Sequence, residues 1–200
     1  ALVTSEETAP QAVRIIVFKI SMFAAVVLQF NLSPALLTSL IDHPQWWHST
    51  PNRRTDAVLT LELFYHLCSF AQLRDSVEDG EALILSWLKN ANSPVDKIAL
   101  YAINADGNEP PRAEKNRQHL QALFGFNDSD GKLALAQKPV SMRGLARLIR
   151  QQTLLNKTEL SLDNIHHISQ MTADSDFDSR QTLARTLLNC VRAKFQESQQ

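Results

Sequence analysis

The chain has 200 residues, with 20 Lys and Arg, 21 Asp and Glu, and a formal net charge of −1. That balance excludes the basic field of a dedicated nucleic-acid binder, and no block of like charge marks a solvated tail. The hydrophobic share of 44% is ordinary for a globular chain and suits one domain, or two small ones, with a sizeable core.

Almost every punctuation mark belongs to helices. Ser5 can cap a first helix, with Pro10 in its opening turns, that runs to about Phe30. Within it, Val13 to Phe30 invites a membrane reading. Arg14 and Lys19 interrupt that stretch, and the uncharged run after Lys19 falls short of the roughly 20 residues a span needs. Glu6 and Glu7 precede it, and there is no basic n-region or small-x-small site, so it does not read as a signal peptide. The expectation is a buried helix with no direct membrane span.

Ser33 and Pro34 open a second helix that ends near Asp42, ahead of Pro44. His43 to Asn52 reads as a loop. Asp56 is expected to cap a central helix to about Arg74, with Leu59, Leu63, Leu67 and Phe70 in one stripe. Val58, Leu61, Phe64, Cys68 and Ala71 widen that stripe. Asp79-Gly80 starts the helix of Leu83, Ile84, Leu85, Trp87 and Leu88, and Ser93-Pro94 starts another with Val95 and Ile98. Pro110-Pro111 opens a helix through Leu120, Leu123 and Phe124, closed by Gly125. Asn127 to Gly131 reads as a loop, and Leu133 to Ala136 as a short strand or a helical turn. Residues 125–139 are therefore the candidate subdomain boundary. Ser141 caps a helix with Met142, Leu145, Leu148, Ile149 and Leu155, a short helix follows Ser161, and Ser175 or Asp176 starts the last one. The expected fold is all-α, as stacked helical hairpins or an irregular bundle.

A phrase occurs twice. Leu32-Ser33-Pro34-Ala35-Leu36-Leu37 and Leu160-Ser161-Leu162-Asp163-Asn164-Ile165 each follow a long apolar-periodic segment. The two serines lie 128 positions apart, and the same offset aligns Lys19 with Arg147, Ile20 with Leu148, and Val27 with Leu155. One helix ends and a serine caps the next; either an ancient helical-hairpin repeat or the coincidences that any two amphipathic helices share accounts for the recurrence.

No residue set demands a reaction. Asp174-x-Asp176-x-Asp178 has the alternate aspartates of a calcium loop, but Ser179 and Arg185 occupy the places of the required Gly and Glu. An acidic helix start explains them instead. Asp128 and Asp130 read as a turn. His66 and Cys68 point apart on one helix, and no CxxC, HExxH, G-x-S-x-G or phosphate loop is present. No metal or other cofactor is therefore expected. Cys68 and Cys190 read as buried free thiols. Two features remain as candidates. Trp46 and Trp47, in a proline-bounded loop, form either a lid over the core or an interaction patch. His166 and His167 become pH sensors if an interface buries a ring.

The segment Leu61-x-x-Phe64-Tyr65-x-Leu67-x-x-Phe70-Ala71-Gln72-Leu73 resembles a helix phrase of the A components of bacterial insecticidal toxin complexes. The run Leu145-Ala146-Arg147-Leu148-Ile149-Arg150-Gln151-Gln152-Thr153-Leu154-Leu155, then Leu160-Ser161, then Thr172-Ala173-Asp174-Ser175-Asp176 is similar to the same proteins. The resemblance implies a piece of a much longer, secreted or surface-borne chain. Its α-helical shell would surround a translocation channel, loosen with pH, and belong to a pentamer. The implied partners are the other domains and protomers of the A component and, through the whole protein, the host-cell surface. The implied role is mechanical and not enzymatic. The first residue, Ala1, fits a fragment. The competing expectations are a free-standing helical adaptor that uses the Trp46-Trp47 loop, and an enzyme with a dispersed site.

Overall fold

A computed structural model describes residues 8–48, 60–93, 111–158, 160–172 and 174–197. The described residues form helices, with no strand among them: α1 (Thr8–Phe30), α2 (Pro34–Asp42), α3 (Leu61–Ser76), α4 (Gly80–Ala91), α5 (Pro111–Phe124), α6 (Asp128–Ala136), α7 (Met142–Thr158), α8 (Leu162–Gln170) and α9 (Phe177–Glu197). A short 3-10 turn, Pro44–Trp46, follows α2. The all-α expectation holds. Ser5, Val58, Leu59 and the Ser93-Pro94 helix lie wholly or mainly outside the described residues.

The core is one cluster. Leu63, Leu67, Phe70 and Leu73 of α3 meet Leu145, Leu148 and Ile149 of α7, with Ile84, Trp87 and Leu88 of α4 and Leu120, Leu123 and Phe124 of α5 around them. The i, i+3, i+4 spacing of these residues puts each set on one helical face. Two close approaches fix the stack. A Cβ at Gly80 would sit 2.4 Å from the Arg74 carbonyl oxygen, and one at Gly144 would sit 2.7 Å from Pro139 Cα. Trp87, 1% exposed, donates its indole N–H to the Pro139 oxygen at 2.8 Å. Gly125 ends α5 with φ at +66°, as a left-handed cap requires.

Several expectations are corrected. α3 starts at Leu61, capped by the Thr60 side chain on Leu63 N–H rather than by Asp56, which lies outside the described residues. Its widened stripe is largely solvent-facing: Leu61, Phe64 and Cys68 are exposed, because α1, α4 and α7 leave that side open. Cys190 is half-buried, so neither thiol belongs to the core. Asn127 to Gly131 is no loop. Asn127 accepts Asp130 N–H at 2.8 Å and starts α6, which packs on α5 and α8 and occupies the stretch considered as a boundary.

The largest correction concerns α1. Phe30 is buried in the core, and Val26 and Val27 pack against it. Upstream, Ile15, Ile16, Val17 and Phe18 are each more than half exposed. Successive residues of a helix point about 100° apart, so these four look in four directions and none of them is buried. Apolar density predicted burial; the described chain supplies nothing to bury most of this helix against.

Candidate functional site

The Trp46-Trp47 turn is the first candidate. Pro44 sets the 3-10 turn, and the ring of Trp46 stacks on His43 with centroids 4.1 Å apart. Trp47 packs on Phe70 at 5.6 Å, and its backbone oxygen accepts the Nδ1–H of the buried His66 at 2.5 Å. Both indoles are buried, so the pair closes the core and presents no exposed patch. Neither indole N–H has a hydrogen-bond partner. A cavity of about 270 Å³ lies beside them, lined also by Gln45, His48 and Arg143. Burial pushes the His48 pKa down, against the opposing charge of Glu62.

The second candidate is the His166-His167 pair on α8. His167 is exposed and sits 3.5 Å from Asp163, one turn earlier. His166 is half-buried and accepts from the Gln170 amide at 2.8 Å. The two rings lie 6.5 Å apart. His167 faces an open cleft of about 490 Å³ between α8 and α9, with Asp176, Asp178, Thr182 and Leu183. Asp176 is committed there: its carboxylate accepts Ser179 N–H at 2.8 Å and Ser179 O–H at 2.6 Å, which hold its pKa below the usual carboxylate range. The acidic run is thus a helix cap. Among the described residues no group of three or more His, Cys, Asp or Glu side chains converges to hold a metal ion.

The third candidate was not foreseen from the residues as a site: a pair of open apolar faces, on α1 and α9. α9 packs on α7 and α8, and Leu183, Thr186, Leu187 and Cys190 are its half-buried residues. On another side Phe177, Leu188 and Val191 are exposed, at i, i+11 and i+14. This spacing forms one helical stripe. The alternation of Phe177, Ala184, Leu188 and Val191 with polar residues was the available signal.

Both Leu-Ser phrases fold alike. Ser33, at φ −73° and ψ 161°, accepts Leu36 N–H at 3.1 Å. Ser161, at φ −79° and ψ 160°, accepts Asn164 N–H at 3.2 Å. The buried residues are not those of the shared pattern, however. Leu36 and Leu162 are fully covered, whereas Leu37 and Ile165 are half-buried.

The geometry therefore defines a class: an all-α stack built from Ser-capped helix pairs, open at two faces. No protein-family model, no curated protein and no solved structure matches the chain.

Proposed function

We propose that this chain is a shell segment of the cell-binding and translocation component of a secreted bacterial toxin complex, as its Leu-Ser helix phrases suggest. The observation that supports this reading most is the apolar face of α1. Val13, Ile15, Ile16, Val17, Phe18 and Ile20 are all exposed, beyond what a self-contained globule tolerates. Such a face calls for neighbouring protein, and a wall segment has neighbours. The role is mechanical: the α3–α4–α5–α7 core makes a stiff plate, and open faces join it to the next part of the wall. No reaction is assigned to it. The free-standing adaptor reading loses its contact surface, because Trp46 and Trp47 are buried.

Electron microscopy of the full-length protein, with a label inserted at the exposed turn near Glu78, tests the proposal. The expected result is a large closed assembly with the label on its outer wall. A monomer, or a label inside a membrane-bound particle, overturns it. His166 and His167 are proposed to contribute to pH-dependent loosening. Replacing both with Gln and finding the pH of opening unchanged would sink that part alone.

A further inference from the structure

Two units of the same build lie in this chain. In the first, α1 leads through Ser33 to α2, and the next helix, α3, packs back on α1. In the second, α7 leads through Ser161 to α8, and α9 packs back on α7. The joint between the units is α7 against α3: the first helix of one unit lies on the third helix of the unit before it. Two faces are left over by this scheme. Among the described residues α1 is a first helix with no preceding third helix to lie on, and α9 is a third helix with no following first helix on it.

The side chains agree. Leu145 and Leu148 of α7 are completely buried in the joint region, and their counterparts at the 128-residue offset, Val17 and Ile20, are 56% and 63% exposed. α9 carries its free stripe of Phe177, Leu188 and Val191 away from its half-buried residues.

We infer that α1 of one copy of this chain packs on the open face of α9 in a second copy, repeating between copies the α7-on-α3 joint within each. Val13, Val17 and Ile20, at i, i+4 and i+7, share one face of α1 and are each more than half exposed, a stripe to set against Phe177, Leu188 and Val191 of α9. A bilayer is a poorer cover. By length and composition Val13–Phe30 could cross one. But Phe30 is buried in the core with the half-buried Val26 and Val27 packed against it, and the free stretch from Val13 to Met22 is only about 15 Å long, half a hydrocarbon core. It also carries Arg14 and Lys19. The α1–α9 contact is head-to-tail, and it does not depend on the toxin reading, since any stacked array would use it.

The test uses the whole chain with Cys68→Ser and Cys190→Ser. Ile20→Cys and Leu188→Cys are introduced in separate samples, mixed, and oxidised mildly. The expected product is the mixed Ile20→Cys/Leu188→Cys disulfide, beyond its statistical share. Sedimentation of the unmodified chain should show mass rising with concentration. Val17→Glu with Ile20→Glu, or Leu188→Glu with Val191→Glu, should weaken association on the order of a hundredfold, with helix content unchanged. Three results overturn the inference: a monomer at all concentrations, same-variant disulfides in excess, or uptake of a monomeric chain by phosphatidylcholine–phosphatidylglycerol vesicles that Ile20→Glu abolishes. The first would leave microscopy of the full-length protein free to support the shell reading.

Discussion

The carboxylate of Asp130 accepts the backbone N–H of Leu162 at 3.1 Å, thirty-two residues later in the chain. A side chain at the start of α6 thereby satisfies one of the free donors in the first turn of α8. Its other oxygen accepts the Asn127 amide at 2.8 Å. Asp130→Ala removes both acceptors in a buried setting and is expected to cost about 1–3 kcal/mol. Asp130→Asn keeps one acceptor and should cost less. Urea denaturation of the two variants checks the order; equal losses would mean the Leu162 contact contributes nothing.

The two capping serines offer an internal comparison. Either Ser→Ala change removes an N-cap, worth about 1 kcal/mol. Ser33 also donates its hydroxyl to Glu81, linking α2 to α4, whereas the described contact of Ser161 is its own helix cap. Ser33→Ala should therefore be the more damaging, by denaturation midpoint. The double variant should show additive losses, since the two sites share no partner.

His119 predicts a pH dependence. Burial pushes its pKa below the ordinary value, while its Nε2–H donates to the Leu83 oxygen at 2.9 Å and its ring meets the edge of Trp87. The folded state thus prefers the neutral ring. Stability from this preference is complete above about pH 6.5, where the unfolded ring is also neutral, and falls as acid protonates the unfolded chain. His48 acts in the same direction. The urea midpoint should drop on going from about pH 8 to about pH 5.5, and His119→Gln should flatten that drop. A variant with the unaltered slope would show that His119 is not responsible.

Trp46 and Trp47 should respond differently to truncation. Trp47 is fully buried against Phe70, so Trp47→Ala is expected to cost about 3–5 kcal/mol. Trp46→Phe keeps an aromatic ring over His43 and removes an N–H without a partner, and it should cost less than about 1 kcal/mol. Thermal melts of both variants decide this, and a large loss for Trp46→Phe would reveal a partner for that N–H.

Helix identity was legible because caps and apolar spacing are local. Ser33 with Pro34 marked the start of α2, and Ser175 or Asp176 that of α9, where Asp176 is the residue that caps. Asn127 was misread, since Asn-Asp-Ser-Asp-Gly serves a loop or an N-terminal cap equally well, and only the packing of α6 on α5 decides between them. Burial was legible where one face of a helix is apolar, as in α7, whose Leu145 and Leu148 were both expected inside. It failed where apolar residues surround the helix. α1 has the composition of a core helix, and composition does not state who supplies the other wall. The candidate faces were hidden for the same reason: Val191 recurs at helical spacing with Leu183 and Leu187, but α7 and α8 cover only the side of α9 that carries Leu183 and Leu187.

The joint of α7 on α3 has a last consequence. A stack whose inner joint can be repeated at its ends carries no ruler. Nothing in the way α7 seats on α3 counts how many units have gone before. Length must be imposed from elsewhere, by the covalent chain, by closure into a ring, or by an end unit whose outer surface is polar.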